Sequence, residues 1–310
     1  MSRFELPLPQ AEDLATCLGL NTSGETLSEL QKMSCIDSMI HRICEEPEPH
    51  RDDIILSHFC ALYLPAVVER LFDLPNHPPA RPLVNEDDLP AAELWPLLNP
   101  YRTVLTHLQH LPYFYKYLRS SHPSAHRARA LPELIAARLA DLAPRFESPQ
   151  MLHHRLELVR EFYVDLIAQI CQFLCTLLLA YSKDKDRKDV VSEPTKRTLI
   201  PYLRQWLRRY PAQNFTGPPT VELGHTAMRV LLYLTDESSF VAETQPIRKR
   251  QKGLGVCGLP TCHVTGTTKL KAYGRCQTVA YCSPEHQRAH WSAKSGLGPG
   301  HKEFCHKTEY

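Results

Sequence analysis

The side chains best suited to hold a metal ion crowd the last sixth of the chain. Cys257, Cys262, Cys276, Cys282, His286, His301 and Cys305 all lie in the final 54 residues, whereas the 256 residues before them hold only six of the eleven cysteines. Zinc takes four nitrogen or sulfur ligands in a tetrahedron, usually offered as short-spaced pairs on tight turns so that two donors converge without strain. Such pairs are legible here. Cys257 and Cys262 flank GLPT, while Cys282 with His286 and His301 with Cys305 each stand four apart, one turn of helix. The N-terminal MSRFELPLPQAEDLA breaks the apolar run that a secretory signal needs, so an intracellular, reducing setting is expected, nuclear or cytoplasmic. In that setting thiols serve as ligands or packed side chains rather than disulfides.

The stretch CQTVAYCSPEHQRAHW, followed by HKEFC, resembles the MYND-type zinc finger, over residues 257–305. The resemblance implies two zinc ions with interleaved ligand pairs. The first would be held by Cys257, Cys262, Cys282 and His286, and the second by Cys276, His301 and Cys305 with Tyr273 at the remaining position. His286 in place of a cysteine is ordinary zinc chemistry. Tyr273 is a departure, because a phenol with a pKa near 10 must lose its proton to ligate. Water, tyrosinate or an imidazole from His263, His290 or His306 could complete that tetrahedron. The spacer SAKSGLGPG, residues 292–300, is longer than the family's, but loop closure costs little per added residue. An open position on zinc also raises hydrolytic chemistry, which would need a dry pocket and a positioned base. Glu303, between two ligands, reads instead as a surface helix residue, and no catalytic residues are assigned.

MYND-type fingers bind short proline-containing peptides in a shallow groove, and the resemblance implies the same here, with Gln287 and Trp291 matching the contact residues. An indole can pack against an already extended proline segment while an amide pairs with its backbone. Trp291 also fits a second role, filling the centre of a small module. The recognition surface is expected to be braced mainly by the first zinc site.

These residues need elements to hold them. Ser283 as cap, Pro284 at the first helical position and Glu285 in the first turn predict a helix that starts just after Cys282. A module of about 55 residues buries too little apolar surface to fold alone, and each structural zinc contributes on the order of 10 kcal/mol. Upstream, the period of the apolar residues predicts an all-α body, an irregular helical bundle or an armadillo-like array, with no fixed repeat. One helix over 26–46 sets Leu27, Leu30, Met33, Ile36, Met39, Ile40 and Ile43 on one face, and a second over 52–73 should bend or break at Pro65. Further helices are expected over 100–118, 131–142, 150–181, 198–210 and 221–234, with loops at 75–82 and 183–189. The expected organisation is a helical domain over 1–240, a basic linker over 241–254 and the finger over 255–310.

Cys171 and Cys175 read as core thiols among apolar neighbours. His107, His110, His153 and His154 show no cysteine or carboxylate partner nearby in sequence. The uncharged run from Leu166 to Tyr181 is short for a membrane span. Residues 248–310 carry eleven Lys and Arg against three Asp and Glu, a basic tail on a mildly acidic body, with RKRQK at 248–252 as linker charge. Neither nucleic acid nor membrane is an expected partner. The composite expectation is a non-catalytic zinc-binding adaptor for protein–protein interaction, with transcriptional regulation as one setting. The alternatives are a ubiquitin-ligase-associated scaffold and a SET-type lysine methyltransferase, the latter disfavoured because residues 1–250 lack its cofactor motif and a β-rich domain.

Overall fold

Helix starts follow the capping residues. Ser28, Asn99, Ser148, Ser192 and Ser283 each accept the backbone N–H three residues on, and Pro100, Pro149 and Pro284 take first helical positions. A computed structural model of the protein describes residues 7–21, 27–48, 50–74, 96–153, 157–181, 189–211, 222–235, 247–248, 251, 253–264, 270–292 and 299–310. The expected loop at 75–82, nearly all of 183–189, His154, most of the linker over 241–254 and spacer residues 293–298 lie outside them.

The chain forms two compact units, one from residues 1–73, 99–126 and 249–310 and the other from 74–98 and 127–248. The units are interleaved in sequence, whereas the expected division at 241–254 is sequential. In the first unit, α3 (Arg51–Asp73) packs on α1 (Ala11–Cys17), α4 (Pro100–Leu108) and α5 (Pro112–Leu118), and α2 (Glu29–Cys44) packs on α4. Leu14, Ile36, Ile43, Phe59, Leu64, Val104 and Phe114 are fully buried there.

Three details depart from the periodic reading. Leu27, ahead of α2, and Leu30 on it are exposed, and Lys32 is buried instead, its ammonium held by Glu29 at 2.5 Å and Tyr101 at 3.2 Å. The inward face at that end of the helix is thus a polar contact rather than an apolar one. α3 runs unbroken through Pro65, because one lost backbone hydrogen bond is outweighed by a face buried along 23 residues. The expected single helix over 100–118 is two, since Leu111 before Pro112 is held extended, at φ −76° and ψ 140°.

The second unit contains α6 (Leu131–Phe146), α7 (Pro149–Leu152), α8 (Glu157–Tyr181), α9 (Glu193–Arg209) and α10 (Leu223–Leu234). α10 packs on α8 and α9, and α6 on both α8 and α9. α9 starts ahead of the expected position at 198 because Glu133 of α6 accepts from the Ser192 N–H (2.7 Å), the Ser192 hydroxyl (2.8 Å) and the Thr195 hydroxyl (2.7 Å). Cys171 and Cys175 are buried among Ile170, Phe173 and Leu174, and burial pushes both thiols up, Cys175 to about 12. α3 and the stretch Val159–Tyr181 are long and apolar enough to cross a membrane by length and composition, but 56% and 72% of their apolar windows are buried inside the protein.

At residue 253 a glycine is required. Its φ is +62°, and a Cβ there would stand 2.0 Å from the Thr278 carbonyl oxygen. The finger has a two-strand hairpin of β1 (Lys271–Ala272) and β2 (Ala280–Tyr281), then α11 (Pro284–Trp291) and α12 (His301–Phe304). α12 lies on α3, and beyond it Tyr310 is buried, donating its hydroxyl to the Cys60 carbonyl at 2.8 Å.

Leu174→Ala, at a fully buried site on α8, is expected to cost about 2–5 kcal/mol in urea denaturation. Leu62→Ala, on the exposed side of α3, should change stability by no more than about 0.5 kcal/mol.

Candidate metal centre

The hairpin and α11 bring the first group of donors together. Cys257 enters beside β2, where its N–H bonds the Val264 carbonyl at 3.0 Å and the next N–H, of Gly258, bonds the Ala280 carbonyl at 2.8 Å. Close approach demands the glycine, since a Cβ on Gly258 would lie 2.2 Å from Val279 Cγ2. Cys262 closes the turn by donating its N–H to the Leu259 carbonyl at 2.8 Å. Cys282 follows β2 directly, and His286 sits in the first turn of α11, its N–H capped by Ser283 Oγ at 3.3 Å.

The ligand atoms of Cys257, Cys262, Cys282 and His286 all lie within 4.8 Å of one another. A tetrahedral zinc with Zn–S about 2.3 Å and Zn–N about 2.0 Å has S···S edges of about 3.8 Å and S···N edges of about 3.5 Å. Cys282 Sγ stands 3.8 Å from both Cys262 Sγ and Cys257 Sγ, and Cys257 Sγ stands 3.6 Å from His286 Nδ1. The Cys282 Sγ to His286 Nδ1 separation is 3.1 Å, a direct hydrogen bond between two prospective ligands. The donor set therefore fits zinc in both type and spacing.

Charge points the same way. Burial opposes ionisation of Cys257, but backbone hydrogen bonds at Cys282 and Leu259 and contacts with His286 and Cys262 outweigh it and bring the thiol down to about 7. Cys282 moves oppositely, to about 11, through desolvation and its neighbouring Cys262 and Cys257. Without a cation only part of the cluster can ionise; a divalent ion lets every thiol ligate as thiolate.

Cys276, His301 and Cys305 form the second group, all buried and with ligand atoms within 4.8 Å of one another. Cys276 lies in the hairpin loop ahead of Gln277, a residue at φ +58°. Its sulfur stands 3.2 Å from His301 Nε2 and accepts the Thr278 hydroxyl at 3.1 Å. His301 opens α12 and Cys305 follows it. Desolvation, with His290 and His306 nearby, holds His301 down near 4, so its imidazole is neutral, as a metal ligand must be.

No fourth cysteine, histidine or carboxylate joins this group among the described residues. Tyr273 pairs its backbone with Val279 and Gln277, and its ring lies edge-on to His301 at 5.4 Å and against Trp291 at 5.6 Å. Of the three imidazoles considered for the position, His263 is exposed, His290 Nδ1 meets the Tyr281 hydroxyl at 3.0 Å, and His306 stacks on His58 at 4.4 Å. Glu303 is exposed on α12.

Gln287 and Trp291 stand four apart on α11, both half-buried, and the indole packs against His301 at 6.1 Å as well as Tyr273. α11 thus carries a donor of the first group and a tryptophan that packs on a histidine of the second. Other contacts had no signal in local spacing. His110 Nε2 pairs with Asp53 Oδ1 at 3.1 Å across 57 residues, in a 270 Å³ cleft that α3 and Tyr113 share with Thr278 and His301.

Residues 260–305 match the family described as MYND finger. The chain therefore carries a MYND finger, a zinc-binding protein-interaction domain, and Cys257 lies just ahead of the matched stretch. No curated protein and no solved structure matches the chain. Native mass spectrometry is expected to count two zinc ions per chain, with Cys282→Ser and Cys276→Ser each lowering the count by one; an unchanged count in either variant would remove that cysteine from the ligand set.

Proposed function

We propose that the protein is a non-catalytic intracellular adaptor whose MYND finger binds short proline-containing peptides across Gln287 and Trp291. The observation that carries this reading is the setting of the tryptophan. Its ring is fixed on one side by Tyr273 and His301, yet it is only half-buried, with Gln287 one turn earlier on the same helix. A rigid, partly open indole beside an amide suits an extended proline segment, which has little conformational entropy left to lose. The metal groups act here as braces, fixing α11 through His286 and the indole through His301.

The helical body serves in this reading as the platform for the finger and for a second partner. Transcriptional regulation is one process that uses such adaptors. Binding through an indole and an amide should change little with added salt, whereas contact with nucleic acid through the basic tail would weaken steeply.

An array of proline-containing peptides, each beside its proline-to-alanine copy, tests the reading by fluorescence polarisation. Trp291→Ala is expected to cost about 2 kcal/mol or more in affinity, as central aromatic anchors do, and Gln287→Ala less, with both zinc ions retained. Binding that survives both substitutions, or that ignores loss of the proline, would refute it.

A further inference from the structure

We infer that Tyr113 and Lys116 of α5, together with Thr278 of the hairpin, are positioning residues for the second metal group, so that its ion binds at full affinity only while the finger is seated on α5. Three cysteine and histidine donors form the second group among the described residues, where zinc takes four ligands, so its affinity leans heavily on how well those three are held in place.

Side chains of α5 hold two of them. The Tyr113 hydroxyl accepts the His306 N–H at 2.7 Å and donates to the Phe304 carbonyl at 2.7 Å, gripping the backbone on both sides of Cys305. Lys116 Nζ donates to the carbonyl of Cys276 at 3.1 Å and to the Thr308 hydroxyl at 2.7 Å. Thr278 then donates to the Cys276 sulfur itself and lies against the Tyr113 hydroxyl, joining the ligand to the grip. Tyr113 is 2% exposed, so water cannot readily replace its hydroxyl.

The first group is built differently. Its donors are fixed by the finger's own backbone and by Ser283, and among the described residues none of α1 to α5 hydrogen-bonds Cys257, Cys262, Cys282 or His286. The two ions therefore answer to different structures. The first depends on the finger, and the second on the finger and α5 together. Coupling of this kind is reciprocal: whatever α5 adds to the second ion's affinity, the ion adds to the seating of the tail.

The test titrates the zinc-loaded full-length chain with a chromogenic chelator and counts the ions left by native mass spectrometry. Tyr113→Phe and Thr278→Val keep ring and volume while removing a hydroxyl, and Thr278→Ser restores it. In the wild type two ions are expected. In Tyr113→Phe and Thr278→Val one ion should leave at 10–100-fold lower chelator, the usual range for loss of a partner behind a ligand, while the other holds as in the wild type. Thr278→Ser should release its zinc as the wild type does, and cysteine-to-serine changes in each group identify which ion has left. The inference is overturned if both ions hold as in the wild type, if both weaken together as general loosening would produce, if Thr278→Ser behaves like Thr278→Val, or if the wild type carries one ion.

Discussion

Sulfur donors packed within van der Waals reach of one another cannot all carry charge unless a cation sits among them. That constraint organises the C-terminal part of the molecule. Its elements are two strands of two residues, a helix of eight and a helix of four, none long enough to persist in water by its own hydrogen bonds. Their placement comes from convergence on the two donor groups and, for the last residues, from α3 and α5. The groups explain why so short a hairpin keeps its register and why α11 begins where it does.

The helical units are stabilised by different physics. There the apolar faces of α3 and α8 set the arrangement, and polar contacts serve to fix register, as where Glu133 meets the start of α9. Glu147 plays a similar part, gathering the Trp206 indole N–H at 2.8 Å, Arg209 at 2.8 Å and the Gln205 amide. Burying such a carboxylate is tolerable because every neighbour that reaches it is a donor.

Much of this was readable from local order in the sequence. The seven cysteine and histidine donors announce themselves through spacing, the start of α11 through Ser283 and Pro284, and the core of α8 through unbroken apolar character. What escaped depends on contacts between distant residues. Lys32 is inward-facing because Tyr101, 69 residues on, joins Glu29 in receiving it, whereas the Glu29–Lys32 pair alone reads as a surface ion pair along a helix. The break before Pro112 competes with a helical period that runs straight across it. Tyr113 and Lys116 read as ordinary members of an aromatic helix until the tail returns to them. The position of Tyr273 was legible, but its packing role was not, since an aromatic ring beside a histidine has no spacing signature.

The buried hydroxyl of Tyr310 and the carbonyl it meets on Cys60 are 250 residues apart. During synthesis, then, the part of α3 around Cys60 must wait for residue 310 before Tyr310 covers it, while residues 127–248 already contain every described helix of the second unit. Pairings so remote in sequence close slowly, because the loop entropy is spent before any contact repays it. The second unit is accordingly placed to fold first, and completion of the first unit is timed by arrival of its last segment. Until then the Cys60 carbonyl lacks the buried hydroxyl that it accepts from in the folded unit.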